Sequence, residues 1–90
     1  MEKEIEKLRN KINNIDSRII SSLRERFSVV RRVGKYKKSR GLKIKDMKRE
    51  KEVINRVIKK ASEQGIKDLD EIKSIFRSIM KSSRDIQKKG

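Results

Sequence analysis

The sequence predicts an all-α fold of three helices per chain, one long and two shorter, in an intertwined helical homodimer. Three observations lead there. Apolar side chains recur at three- and four-residue spacing along most of the 90 residues, the period of one face of a helix. Two interior breaks carry a glycine, Gly41 and Gly65, and each is followed by an aspartate suited to start a new helix. There is no proline, and no strand pattern competes with the helical one.

The first helix is expected from about Glu4 to about Ser39. Written as a heptad, one core position holds Ile5, Ile12, Ile19, Arg26 and Val33, and the other holds Leu8, Ile15, Ser22, Val29 and Tyr36. Gly34 interrupts this pattern at a cost of about 1 kcal/mol relative to Ala, which suggests close packing at that point. The break "SRGLKIKD" (39–46) offers Gly41 as a helix stop and Asp46 as the next N-cap. A second helix is expected over about 47–63, with Val53, Ile54, Val57, Ile58 and Ala61 on its apolar side. Gly65 ends it, and Asp68 or Asp70 starts a third helix over about 69–88. Leu69, Ile72, Ile75, Phe76, Ile79, Met80, Ser83 and Ile86 fall on or near its buried face.

The first helix implies a partner. About 35 residues at 1.5 Å each make a rod of roughly 50 Å. A compact chain of this size has a radius of gyration of only about 12 Å. The rod therefore overhangs its own chain, and a second copy that covers the other's long helix removes the exposure. With 32% hydrophobic and 3% aromatic residues, one copy also has little to bury.

Composition narrows the function classes. There is no cysteine, hence no disulfide framework or thiolate chemistry, and no histidine, hence neither the usual zinc ligand nor a histidine-activated nucleophile. No metal or cofactor is expected. No apolar run could span a membrane and no hydrophobic leader opens the sequence, so a soluble, cytoplasmic single domain over 1–90 is the expectation. The formal charge of +15 keeps nucleic acid among the partners to weigh, especially through "RRVGKYKKSRGLKIKDMKR" (31–49). Against it, the basic residues are spread over all three helices with no nucleic-acid-binding motif, so nucleic acid is not the expected partner. A helical dimerisation module without activity is a third reading.

Several polar residues stand where a core should be. Arg26 occupies a heptad core position, where a charge is costly unless paired. It could pair with a buried carboxylate, fix the register, or wait for an anionic ligand. Lys37 lies eleven residues on, nearly on the same face, so the two cations can converge on one anion. Arg9 flanks the same stripe, seventeen residues before Arg26 and roughly 26 Å away along the axis. It could reach such a site only from a partner chain. In the second helix, Asp46 and Glu50 read first as dipole-compensating choices and Arg49 as surface. In the third, Ser83 and Gln87 share a face, and the Gln87 amide should point partly inward, where it needs a partner.

Together these stretches resemble the all-helical chorismate mutases over nearly the whole chain. "LRNKINNID" (8–16) is similar to that family's opening arginine stretch. Glu25-Arg26 and "VGKYK" (33–37) match its mid-helix arginine and lysine. "GLKIKDMKRE" (41–50) and "IFRSIMKSSRDIQ" (75–87) match its later motifs. Lys43 stands where the family often has proline. The resemblance implies a rearrangement of chorismate to prephenate, on the route to phenylalanine and tyrosine, by a homodimer with two equivalent sites and no cofactor. It implies that Arg26 and the partner's Arg9 clamp the two carboxylates of chorismate. Lys37 would reach a carboxylate and the ether oxygen, and Gln87 would donate to that oxygen. Glu50, with Asp46, would hold the ring hydroxyl. Arg49 and Ser83 would complete the polar lining, with Val33, Ile79 and Met80 as apolar walls. A related branch with this fold cleaves isochorismate, and Glu50 speaks for the mutase branch.

Overall fold

The computed structural model describes residues 2–89 and contains three helices in chain order. They are α1 (Glu2–Ser39), α2 (Met47–Glu63) and α3 (Leu69–Lys89), within two residues of the expected boundaries. Met1 and Gly90, the two ends of the domain expected over 1–90, lie outside the described residues. No described helix is long and apolar enough to cross a membrane.

Local chemistry accounts for each boundary. Glu2 and Glu4 in the first turn of α1, with Lys37 and Lys38 in its last, oppose the helix dipole with the favourable signs. α1 ends where Gly41 takes a φ of +66° and Leu42 N–H donates to Lys37 O at 2.8 Å. α2 ends in the same way at Gly65, φ +81°, with Ile66 N–H on Ala61 O at 3.0 Å. Both left-handed positions favour glycine, and both closures satisfy carbonyls that the helix end would leave open. Asp46 caps α2 by accepting from Arg49 N–H at 3.0 Å. Of the two aspartates weighed for α3, Asp68 does this work, accepting from Glu71 N–H at 3.3 Å.

α3 packs against both other helices, whereas α1 and α2 are not packed on each other among the described residues. Val53 and Val57 of α2 and Met80 of α3 form the centre of the core, with Ile54, Ile72 and Phe76 packed around it. The expected inward faces of α2 and α3 are thus observed, except that Ile75 is half exposed. It is not among the residues packed on the central cluster.

α1 sets the shape. At about 1.5 Å per residue its 38 residues make a rod of roughly 57 Å, and the molecule measures 58 × 25 × 16 Å. The radius of gyration is 16.6 Å, well above the ~12 Å of a compact chain of this length. Along the overhanging half, Ile5, Leu8, Ile12, Ile15 and Ile19 are 45–54% exposed. The only buried residue of α1 is Gly34.

Candidate active site

A cavity of about 290 Å³ opens between α1 and α2, with α3 as its floor. That is the small end of the range for ligand pockets, fit for a small molecule and not a polymer. α1 contributes Arg26, Val29, Val30, Val33 and Lys37. The turn contributes Ile44 and Asp46, α2 contributes Arg49, Glu50, Val53 and Arg56, and α3 contributes Met80, Ser83, Arg84 and Gln87. Seven of the eight polar residues singled out in the sequence therefore meet at one place. Arg9, the eighth, does not line the cavity and is exposed on the overhanging half of α1.

Arg26 is half-buried, and its Nη1 donates to Ser83 Oγ at 2.6 Å. Ser83 in turn donates to Ile79 O at 2.8 Å. The hydroxyl thus orients the guanidinium but leaves its charge unneutralised. Among the described residues no carboxylate lies within ion-pair distance of Arg26. Burial pushes its pKa below the ordinary arginine value, and the like charges of Arg56 and Arg49 push the same way. Of the three explanations for a core arginine, pairing with a carboxylate of its own chain is not what the fold does.

Lys37 is half-buried at the cavity's other end, where the turn wraps around it. Its Nζ donates to Ile44 O at 2.9 Å, while its own carbonyl accepts from Leu42 N–H. Gln87 is only 8% exposed, and its Oε1 has no hydrogen-bond partner among the described residues. A buried acceptor oxygen without a donor is costly unless a ligand or water completes it. α3 comes this close because residue 34 has no side chain. A Cβ there would stand 2.9 Å from Gln87 Cγ and 3.0 Å from Gln87 Cα.

Glu50 is held across the α2–α3 seam. Arg84 Nη1 donates to both of its carboxylate oxygens at 2.7 Å, with both side chains 24% exposed. Arg49, by contrast, is exposed and lies 3.8 Å from Glu52 in a surface pair of little energetic weight. Asp46 caps α2 and lines the rim as well. Of the expected apolar walls, Val33 and Met80 are in place but Ile79 is not among the lining residues. Ile79 lies four positions before Ser83, and it is its carbonyl that serves the site. Val29, Val30, Ile44 and Val53 supply the rest of the apolar lining.

Arg56 and Arg84 were not anticipated from the sequence. A signal existed for each. Arg56 follows Arg49 and Val53 at helical spacing, so it shares their face. Arg84 is four residues after Met80 and Glu50 three before Val53, which places opposite charges beside the central core contact. Five basic side chains thus line the cavity against two acidic ones, Asp46 and Glu50. The arrangement suits a small dianion, and one with a hydroxyl for the carboxylates.

Comparison with known proteins agrees with this chemistry. The family model for chorismate mutase type II matches residues 8–88. A chorismate mutase of Methanocaldococcus jannaschii is 31% identical over 88 residues, which are 98% of this chain and 88% of that protein. A bifunctional chorismate mutase/prephenate dehydratase of Aquifex aeolicus is 28% identical over 88 residues, 96% of this chain but 24% of that protein. One from Buchnera aphidicola is 32% identical over 81 residues, 90% of this chain and 21% of that protein. No solved structure matches the chain significantly. Since the family model spans nearly the whole chain, and a relative of similar length matches over most of its own length, the chain belongs to the type II chorismate mutases.

Proposed function

We propose that this protein rearranges chorismate to prephenate in a cavity completed by a second copy of the chain. The observation that carries the reading is the meeting of Arg26, Lys37 and the buried Gln87 amide around one small, cation-lined cavity. Chorismate has two carboxylates, a ring hydroxyl and an ether oxygen, and the cavity offers a complementary group for each.

The reaction is pericyclic. Within one molecule the ether C–O bond breaks as a C–C bond forms, with no proton or electron exchanged with the protein. Nothing in it calls for a nucleophile or a general base, so a chain without histidine or cysteine lacks nothing the reaction needs. The protein's work is to hold the flexible enolpyruvyl side chain over the ring, which is proximity and orientation. It also aims donors at the ether oxygen, where negative charge grows as the bond breaks. In this reading Arg26, fixed by Ser83, grips one carboxylate, and Lys37 spans a carboxylate and the ether oxygen. Gln87, buried and lining the cavity, donates its amide N–H₂ to that oxygen. Glu50, with Asp46 at the rim, accepts from the ring hydroxyl, and Arg49 adds positive potential. An acceleration of about 10⁶ requires roughly 8 kcal/mol of transition-state stabilisation. Several charge-assisted hydrogen bonds in a cavity dried by substrate are of that order.

The dimer follows from α1. Its exposed isoleucine stripe needs a cover, and a second α1 lying along it would supply one. The same arrangement would bring the partner's Arg9 to the cavity that its own chain places out of reach.

The test is the loss of chorismate's ultraviolet absorbance with purified protein, run beside Arg26→Ala. Turnover that collapses in the variant, with unchanged circular dichroism, supports the assignment. No turnover by a folded wild type would refute it, and isochorismate would then be the next substrate to try.

A further inference from the structure

We propose that Arg84, to which the family resemblance assigns no role, is a positioning residue. It holds Glu50 as a fixed acceptor and so makes the site selective for a substrate bearing a ring hydroxyl. This rests on the function proposed above.

The geometry is specific. Glu50 sits in the first turn of α2 and Arg84 near the end of α3, and the two meet at the floor of the cavity. One guanidinium nitrogen reaches both carboxylate oxygens at 2.7 Å, the length of a charge-assisted hydrogen bond. Each partner retains only 24% of its side-chain exposure. A half-buried glutamate with no cation beside it would lose much of its hydration. It would then turn outward along its three rotatable bonds. Arg84 removes that option. Its own backbone is anchored between Ser83 and Gln87, both buried, so the guanidinium is held on the rigid part of α3.

Glu50 remains able to serve a ligand. A carboxylate offers about four acceptor sites, and Arg84 occupies two. The others are free for a hydroxyl placed in the cavity. Asp46 is less suited to that role, because its Oδ1 is already committed to the α2 cap and the residue is exposed. The two carboxylates thus divide the work. Asp46 builds the helix end, and Glu50, held by Arg84, reads the hydroxyl.

A purely structural Arg84 would only tie α2 to α3, and the experiment separates the two roles. Steady-state kinetics of wild type, Arg84→Met and Arg84→Lys are measured on chorismate and on a derivative with hydrogen in place of the ring hydroxyl. The rearrangement does not itself require that hydroxyl. On chorismate, Arg84→Met should lose about 10- to 100-fold in kcat/KM. Arg84→Lys, which keeps a cation within reach, should lose only about 2- to 5-fold. On the derivative, the loss in each variant should be clearly smaller than on chorismate, at least about fivefold smaller for Arg84→Met, because no hydroxyl is left for Glu50 to read. Chorismate kinetics unchanged in both variants overturn the proposal, as do equal losses on the two substrates. If Arg84→Met does not fold, the same comparison is made with Arg84→Lys, and an equal loss on both substrates again overturns it. No chorismate turnover by wild type would overturn the proposed function and this inference together. Turnover by wild type with no substrate-dependent effect of Arg84 overturns this inference alone.

Discussion

Gly34 and Gln87 are in direct backbone-to-side-chain contact. A Cβ at position 34 would stand 2.9 Å from Gln87 Cγ and 3.0 Å from its Cα. The glycine thus sets how closely the end of α3 approaches α1, and with it where the Gln87 amide lies. Gly34→Ala should therefore act against propensity. An alanine favours the isolated helix by about 1 kcal/mol. Here the crowded atoms include backbone, so α3 must move, and a net destabilisation of about 1–3 kcal/mol is expected. Because the amide moves with α3, kcat should fall more than KM rises. A thermal melt with steady-state kinetics checks both, and a variant more stable than wild type would contradict the packing argument.

Arg26 should trade stability for activity. Its pKa is lowered by burial and by Arg56 and Arg49, so the folded chain disfavours its charged form. The sign follows directly. A cation whose folded pKa lies below its unfolded value destabilises the fold wherever it is charged, which for arginine is the whole accessible pH range. Arg26→Met keeps most of the apolar stem and removes the charge. Its unliganded melting temperature should equal or exceed that of wild type, although the Ser83 hydrogen bond is lost. Transition-state stabilisation should fall by about 3–5 kcal/mol, roughly 10²–10⁴-fold in kcat/KM. A dianionic inhibitor at 100 times its Kd should stabilise wild type by about 2.7 kcal/mol and the variant much less. A clear drop in unliganded stability would instead mark Arg26 as a structural residue.

The part of this picture legible in the sequence was the part written in periodic patterns. Helix positions follow from apolar spacing, and helix ends from Gly41, Gly65, Asp46 and Asp68. These are local rules, acting within one or two turns. Arg26, Lys37, Ser83 and Gln87 were found because polar groups on an apolar stripe violate the pattern. Arg56 and Arg84 violate nothing. They are charged residues in a chain full of them, and their role depends on which face of α2 meets which face of α3. The same limit applies to Ile79, whose backbone and not its side chain serves the site. Gly34 lies between the two cases, since an out-of-place glycine signalled close packing without saying what packs there.

The pH profile tests the identity of the ether-oxygen donor. Neither the Gln87 amide nor an arginine titrates near neutrality, so wild-type kcat/KM should vary little between about pH 6 and 9. Gln87→Glu replaces a permanent donor by one that donates only when protonated. Burial raises such a carboxyl's pKa, whereas Arg26 and Lys37 across the cavity lower it. In either balance the active form is the acid, so the variant's activity should rise as pH falls. A sharp acidic optimum in wild type, or a flat profile in the variant, would remove Gln87 from the ether oxygen.

Mixed dimers test whether each cavity takes Arg9 from the other chain. Arg9 is exposed on the overhanging part of α1, outside the cavity that holds Arg26. The seventeen residues between them correspond to roughly 26 Å along a helix axis, too far for one small molecule to bridge. If the partner supplies Arg9, Arg9→Ala and Arg26→Ala should each inactivate both sites of a homodimer. In a mixed dimer one site carries both lesions and the other carries neither. Unfolding and refolding the two inactive variants together at equal concentration makes half of the dimers mixed, with one intact site in two. Activity should recover to about a quarter of wild type by this arithmetic. If Arg9 acted within its own chain, or only on folding, every site in the mixture would still contain a lesion and no recovery would occur. Light scattering on the same samples checks that the dimers have re-formed. A folded monomer of 10.7 kDa at micromolar concentration would reject the shared site outright.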